Sequence, residues 1–385
     1  MAQLTGSYPN SGPIQLSMNE VYEFLSNMLI STQVFTNNIY DTKSTLVEMS
    51  RVDGGLYGDS KRWIATDVLR TYEWAGDAEA ENLLQTHRAP QPDVQLISID
   101  TFRMIPLTTD DYLTKRAFAD EGTFSQFNGA LLKWMRDTKK VYDSTMFNTF
   151  VGTTTAETDG QNRNITLARE PEQATETDLE AYNRMTAQTI GYEMANIMVE
   201  LEDVSRELTD LGNLRSFNSD EFRYVWNSEW VNRITKLDLP TIFHKEGMID
   251  KFAQHTLPGR YFGKVNEAGG TAPSANNTIR SLIEIDYNTA PMNSPNYDPK
   301  KHIFPGDLIP AGEAYSENTT YTVDPTIVCK IYHKDSIPFM SAFETGTEFW
   351  NPRALNKNHY LIWGYSSLKY IKDLPFITIT AKAAE

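Results

Sequence analysis

Apolar and polar positions fall into two periods along this chain. The run from Gln95 to Ile105 reads as a β-strand, and after a short acidic turn it gives way to one long helical pattern. Thr123 and Gln126 stand three apart as a capping box, which would satisfy the first free backbone N–H groups of that helix. Phe127, Leu131, Trp134, Met135, Thr138, Tyr142 and Thr145 then recur at steps of three and four, and Gly152 is the first residue able to end the helix cheaply. At about 1.5 Å per residue this element is roughly 40 Å long, a beam rather than an ordinary core helix.

The same reading places other elements around the beam. Ser17 and Glu20 cap an amphipathic helix with Val21, Phe24, Leu25, Met28 and Leu29 on one face. Thr45 to Tyr57 reads as extended with breaks at Gly54, Gly55 and Gly58, and Lys61 to Leu84 reads as irregular, with Trp63, Tyr72 and Trp74 among charges. Arg88 to Asp93 leads back into the second extended run, so two extended arms enclose a projecting hairpin or long loop.

After the beam, Thr153 to Thr166 reads as a hairpin about an Asp159-Gly160 turn, and Thr177 to Leu211 reads as a second long helix opened by Thr177 and Glu180. In that helix Ile190, Ile197, Val204 and Leu211 alternate with Met194, Leu201 and Leu208 at heptad spacing. A coiled coil needs a longer repeat, so a helix lying on a sheet is the expected arrangement. Glu221 to Trp226 is a strand candidate, and Asn227-Ser228 would cap a short helix from Glu229 to Ile234. Asn266 to Thr278 has the composition of a flexible loop. Strands are expected at Ser281 to Tyr287, Tyr321 to Val323, Thr326 to His333, His359 to Trp363 and Phe376 to Thr380.

Composition narrows the function. The chain has 385 residues, enough for two domains or for one discontinuous core with insertions. Cys329 is the single cysteine, which rules out an intrachain disulfide and favours a reducing compartment. The start lacks a basic segment followed by an apolar one, and no apolar run is long enough for a membrane helix, so a soluble chain not exported by the usual route is expected. A net charge of −16 argues against wrapping nucleic acid and leaves room only for a local basic face.

Candidate chemistry is sparse. No glycine-rich phosphate loop, His-Glu-x-x-His motif or calcium loop is present, and His244, His255, His302 and His359 are too scattered to suggest a metal site. Ser366 and Lys369 match a Ser-x-x-Lys spacing without the companion signatures of serine acylases. Cys329 and His333 would stand about 13 Å apart on a strand, so Cys329 is expected to be a small buried residue. Glu200, Glu202 and Asp203, or Glu344 and Glu348, could supply the acid and base of a glycosidase, but an acidic protein offers such pairs as solvated surface.

The order of elements resembles the major capsid proteins of tailed phages with the Hong Kong 97 fold, an α+β architecture, over nearly the whole chain. On that resemblance residues 1–44 correspond to an N-terminal arm, 45–110 to an extended loop over a neighbouring subunit, and 111–215 to a peripheral domain with the spine helix. Residues 216–345 then correspond to an axial domain, and 346–385 to a return into the peripheral domain. Phe222 to Ile234 resembles the family's strand-to-helix entry to the axial domain, with an asparagine as cap. The texture of Leu46 to Asp59 and of Thr66 to Trp74 is most similar to small podoviruses of the phi 29 type.

The resemblance implies a non-enzymatic shell protein with no cofactor or metal. It would self-assemble as pentamers and hexamers in the bacterial host cytoplasm, with a separate scaffolding protein and a portal protein, around packaged double-stranded DNA, without a membrane. The family's lysine-to-asparagine crosslink does not carry over: Lys43, Lys61 and Asn351 have suitable side chains, but no catalytic glutamate can be placed. Inter-subunit contacts are expected from Arg62, Trp63, Arg70, Tyr72 and Trp74 in the loop and from Val21, Phe24, Leu25 and Met28 in the arm, because a lone subunit cannot easily bury them. Two alternatives stand beside this reading, an encapsulin-type cellular nanocompartment and a carbohydrate-active enzyme. Terminase and portal genes nearby would mark a phage, and a cargo gene an encapsulin.

Overall fold

The computed structural model describes residues 45–53, 60–72, 86, 88–110, 121–167, 179–235, 255–265, 278–280, 308–309, 320–353 and 355–383. The expected arm helix, Trp74 and the strand expected at Ser281 to Tyr287 lie outside the described residues.

Among the described residues the order opens with helix α1 (Thr45–Ser50), strands β1 (Arg51–Asp53), β2 (Ser60–Ala65) and β3 (Asp93–Asp110), and the long helix α2 (Glu121–Thr153). Strand β4 (Asn162–Leu167), helix α3 (Leu179–Glu202), β5 (Phe222–Asn227), helix α4 (Ser228–Thr235), β6 (His255–Leu257) and β7 (Gly263–Val265) follow. Next come β8 (Thr278–Arg280), β9 (Leu308–Ile309), β10 (Thr320–Val323), β11 (Ile327–His333), β12 (Phe339–Asn351), β13 (Asn356–Ser366) and β14 (Phe376–Ala383).

Among the described residues the strands form three sheets. The first has the order β1-β12-β13-β3-β2 and is built on two long antiparallel pairings, β12 with β13 and β13 with β3. The second has the order β4-β14-β11-β5-β6, and the third, smaller sheet the order β7-β10-β8-β9. β4 comes from 111–215 and β14 from 346–385, and both join β5 and β11 of 216–345 in one sheet.

Strand β11 explains the layering, because it is buried along its whole length and so must be covered on both faces. On one side Cys329 and Ile331, with Tyr224, Ile377 and Ile379 from its neighbours, pack with Ile190, Met194, Ile197 and Leu201 of α3. The helix-on-sheet arrangement expected for the heptad seam is the one present. On the other side Tyr332, Val225 and Phe376 share a cluster with Tyr142, Met146, Phe147 and Val151 of α2 and with Leu361, Trp363 and Tyr365 of the first sheet. The C-terminal half of α2 is therefore common to the cores of both large sheets.

Several expectations need correction. Helix α2 has 33 residues, about 50 Å, and starts at Glu121, so Thr123 lies inside its first turn rather than capping it. Its end at Thr153 is one residue past Gly152. Thr45–Ser50 is helical, not extended, because Leu46 and Val47 turn together into the cluster beneath α2. Ser60–Ala65 is a strand, where irregular chain was expected, held by antiparallel pairing to Asp93–Ser98. Asn162–Leu167 does not return as a hairpin but pairs in parallel with β14. Helix α3 stops at Glu202; Leu208 still reaches the core, but from a loop closed by reciprocal backbone bonds between Ser205 and Arg215.

The junction of β5 with α4 follows the sequence closely. Asn227 is buried; its Oδ1 accepts from the Glu229 N–H at 3.1 Å and its Nδ2 donates to the Ile327 carbonyl at 3.0 Å. One side chain thus caps a helix and ties it to the neighbouring strand. Asn227→Ala is expected to cost about 2–4 kcal/mol, a cap plus a buried carbonyl left without its donor. Urea denaturation measures it, and a loss below about 0.5 kcal/mol would mean that the cap is dispensable.

Candidate functional site

The base of the long loop is the first candidate surface. Along β2 the period of two turns Lys61, Trp63 and Ala65 inward and leaves Arg62 and Ile64 exposed. Trp63 packs against Ile97, Ile99, Met340 and Ile371, with its indole nitrogen buried. Trp63 is half-buried, with part of its surface against its own subunit. Arg62, Arg70 and Tyr72 are exposed, whereas Trp74, Val21, Phe24, Leu25 and Met28 lie outside the described residues.

Just beyond β2 the chain is clamped. The Asp67 carboxylate accepts from the Leu214 N–H at 3.1 Å, from the Val68 N–H at 2.9 Å and from Arg206 Nη1 at 2.8 Å. Arg215 Nη2 donates to the Thr66 carbonyl at 2.7 Å and to Asp373 at 2.8 Å. The Leu214 amide, then Arg206 and the Val68 amide, hold the Asp67 carboxyl down to about 2. Because that value is depressed, the contribution of Asp67 is present above about pH 4 and is lost as pH falls toward 2. In Asp67→Ala we expect at least a tenfold faster hydrogen exchange at the Leu214 amide near neutral pH; unchanged protection would show that Arg215 grips the loop base alone.

The second candidate is the exposed apolar surface along β3. In β3 the odd residues Ile97 and Ile99 are buried while Val94, Leu96, Phe102 and Met104 are exposed, and Ile64 lies opposite Val94 in register. Apolar side chains are thus exposed on either side of a register shift between Ile99 and Thr101, beside residues that the described part of the subunit buries. That was the available signal: the run from Gln95 to Ile105 lacks the strict alternation of a strand with one wet face. Among the described residues no helix is long and apolar enough to cross a membrane.

Charged groups inside the subunit hold elements together. Lys139 of α2 bridges Asp143 at 3.4 Å and Glu344 of β12 at 3.0 Å, and burial raises the Asp143 carboxyl above its ordinary range. Tyr142 and Tyr365 share a 2.6 Å hydrogen bond between α2 and β13. Lys330, fully buried in β11, donates to the carbonyl of Thr154 just past the end of α2 at 2.8 Å and to Thr378 Oγ1 at 2.9 Å. Burial brings its ammonium down to about 7.

These groups do not converge on a reacting centre. Burial raises the Cys329 thiol, and Cys329 and His333 sit opposite Trp226 and Phe222, four positions apart on the strand. Glu200 is engaged by Arg163 at 2.6 Å, Glu344 by Lys139, and Glu348 by Lys357 at 2.5 Å. Three of the carboxylates considered for glycoside hydrolysis, Glu200, Glu344 and Glu348, are thus drawn into separate ion pairs. Among the described residues no cluster of three metal-ligating side chains occurs.

No protein-family model matches the chain, and no curated protein matches it. Solved structures do. A chain from the capsid structure of Staphylococcus phage Andhra superposes with a TM-score of 0.56 at 12% identity, over 87% of this chain and 83% of that one. A chain from the structure of head fiber and inner core protein gp22 of native bacteriophage P68 superposes with a TM-score of 0.53 at 12% identity, over 85% of this chain and 83% of that one. The chain has the Hong Kong 97 capsid fold.

Proposed function

We propose that this chain is a major capsid protein of a tailed phage, a non-enzymatic subunit that closes into an icosahedral shell around packaged double-stranded DNA. The observation that carries this reading is the match in fold to the Andhra capsid chain over most of both chains. Support comes from apolar surface that the described residues leave open, chiefly Ile64, Val94 and Leu96 where β2 pairs with β3, since neighbours in a shell would cover it. The net charge of −16 also suits a container for DNA, because a like-charged wall repels the polymer within a Debye length of about 8 Å.

Within this reading the subunits form pentamers and hexamers, a separate scaffolding protein directs their closure, and a portal protein occupies one vertex. The texture of residues 45–74 favours a small podovirus of the phi 29 type. Residues 1–44 act as an arm that reaches a neighbour through the face of Val21, Phe24, Leu25 and Met28, and the host cytoplasm is the place of assembly.

Deletion of residues 1–30 tests the arm. The truncated chain is expected to keep the circular dichroism and thermal midpoint of the full chain while its fast-sedimenting shell peak disappears. Normal particles from the truncated chain would remove the arm from the assembly scheme.

A further inference from the structure

Helix α3 has two apolar faces, and the subunit uses one. Ile190, Met194, Ile197 and Leu201 lie on the second sheet, while Met185, Tyr192 and Val199, seven residues apart, form a line on the opposite side with 44% to 69% of each residue exposed. Fourteen residues of helix make this line about 21 Å long. One flank carries Ala181, Gln188 and Ala195, and the margins carry Glu193 and Glu202 around Tyr192 and Val199, Arg184 beside Met185, and Glu200, which Arg163 engages at 2.6 Å. It is a narrow apolar strip whose border is acidic around Tyr192 and Val199.

The loop base offers the complement. Ile64, Val68 and Leu69 are between 51% and 67% exposed, and Arg62 and Arg70 stand exposed among them. The Asp67 clamp removes the one acidic side chain of that segment from the balance by pairing it with Arg206, so the patch is apolar with a basic border. Two different complementary surfaces on one chain make a heterologous contact, the kind that generates a ring where the rotation between copies closes. Opposite borders also fix register and suppress pairing of like surfaces.

We infer that the outward strip of α3 is a docking surface for a second copy of this chain and receives the loop base of that neighbour, Ile64, Val68 and Leu69 against Met185, Tyr192 and Val199. The inference rests on the container reading and deepens it by naming one contact between copies.

Cysteine pairing tests it directly, since Cys329 is buried and contributes no background. Full-length Leu69→Cys and a tagged Tyr192→Cys, each produced with the proteins encoded beside it, are co-assembled under reducing conditions and then oxidised. The expected result is a disulfide-linked heterodimer of the tagged and untagged chains that is absent when either variant is assembled alone. Linkage of Tyr192→Cys to itself would mean that α3 pairs with α3 and would overturn the inference. Intact shells without linkage would mean that the strip meets another protein or solvent, and would overturn it as well. Failure of the unmodified chain to form any shell would count against the container reading itself.

A charge exchange gives a second readout. Arg62→Glu with Arg70→Glu is expected to lower shell yield at least tenfold, and adding Glu193→Lys and Glu202→Lys to the same chain to restore it to within about threefold. Yield unaffected by the first pair, or not recovered with the second, contradicts the pairing.

Discussion

Gly152→Ala is expected to destabilise the subunit by about 3 kcal/mol or more, although alanine is the better helix former by roughly 1 kcal/mol. A Cβ at this position would stand 1.9 Å from the carbonyl oxygen of Tyr261 and 2.6 Å from its carbon, both backbone atoms that cannot rotate away. The turn Gly259–Tyr261 would have to lift off α2, taking Tyr261 and Phe262 out of the cluster that joins the two large sheets. The clash therefore outweighs the gain in propensity. Thermal denaturation should show a fall of more than about 6 °C or loss of soluble subunit; a rise in midpoint would mean that α2 and this turn are not in close contact.

Lys330→Met should reverse its sign with pH. In the folded chain the amine titrates at about 7, well below its ordinary value of 10.5, because burial disfavours the ammonium. Below about pH 7 it is protonated in both states and the folded chain carries the full cost of a buried charge, of order 3–5 kcal/mol. Between 7 and 10.5 the unfolded chain binds more protons, so stability of the wild type rises with pH. Methionine removes the charge and also the donor to the Thr154 carbonyl and to Thr378 Oγ1, a loss of about 1 kcal/mol for each bond. The variant should therefore be the more stable by about 1–3 kcal/mol at pH 6 and the less stable near pH 10, with a flatter profile between. A wild type whose stability is level from pH 7 to 10 would show that the ammonium is better solvated than its burial indicates.

Where local chemistry decides, sequence reading reached the structure. The apolar runs of β3, β11, β13 and β14, the period of α2 and the Asn227 cap of α4 all depend on residues close along the chain. Of the heptad positions, Ile190, Met194, Ile197 and Leu201 form a face of α3 on a sheet, whereas Val204 lies past the end of the helix and is exposed, and Leu208 continues the spacing from a loop. Strand β12 was missed because Glu344 and Glu348 interrupt its apolar character; the structure pairs them with Lys139 and with Lys357 and His359. The parallel pairing of β4 with β14 joins segments more than 200 residues apart, which no local pattern encodes.

At the candidate site the split is similar. Exposure of Arg62, Arg70 and Tyr72 agrees with the composition of the loop, whereas the inward turn of Trp63 follows from β2 being a strand, which the charges at Lys61 and Arg62 concealed. The Asp67 clamp depends on an amide 147 positions away and had no signature in the sequence. The outward line Met185, Tyr192 and Val199 was visible as a seven-residue spacing, but it stood out only once the other face of α3 was known to be covered.

Whether this chain closes into a container is tested most directly by electron microscopy of the full-length protein, produced with the proteins encoded beside it and recovered from the fast-sedimenting fraction of a density gradient. Hollow closed particles of uniform diameter, built from this 43.8 kDa chain as the main component, are the predicted result. A protein found only as monomers or small oligomers at the top of the gradient, in the presence of those companions, would contradict the account.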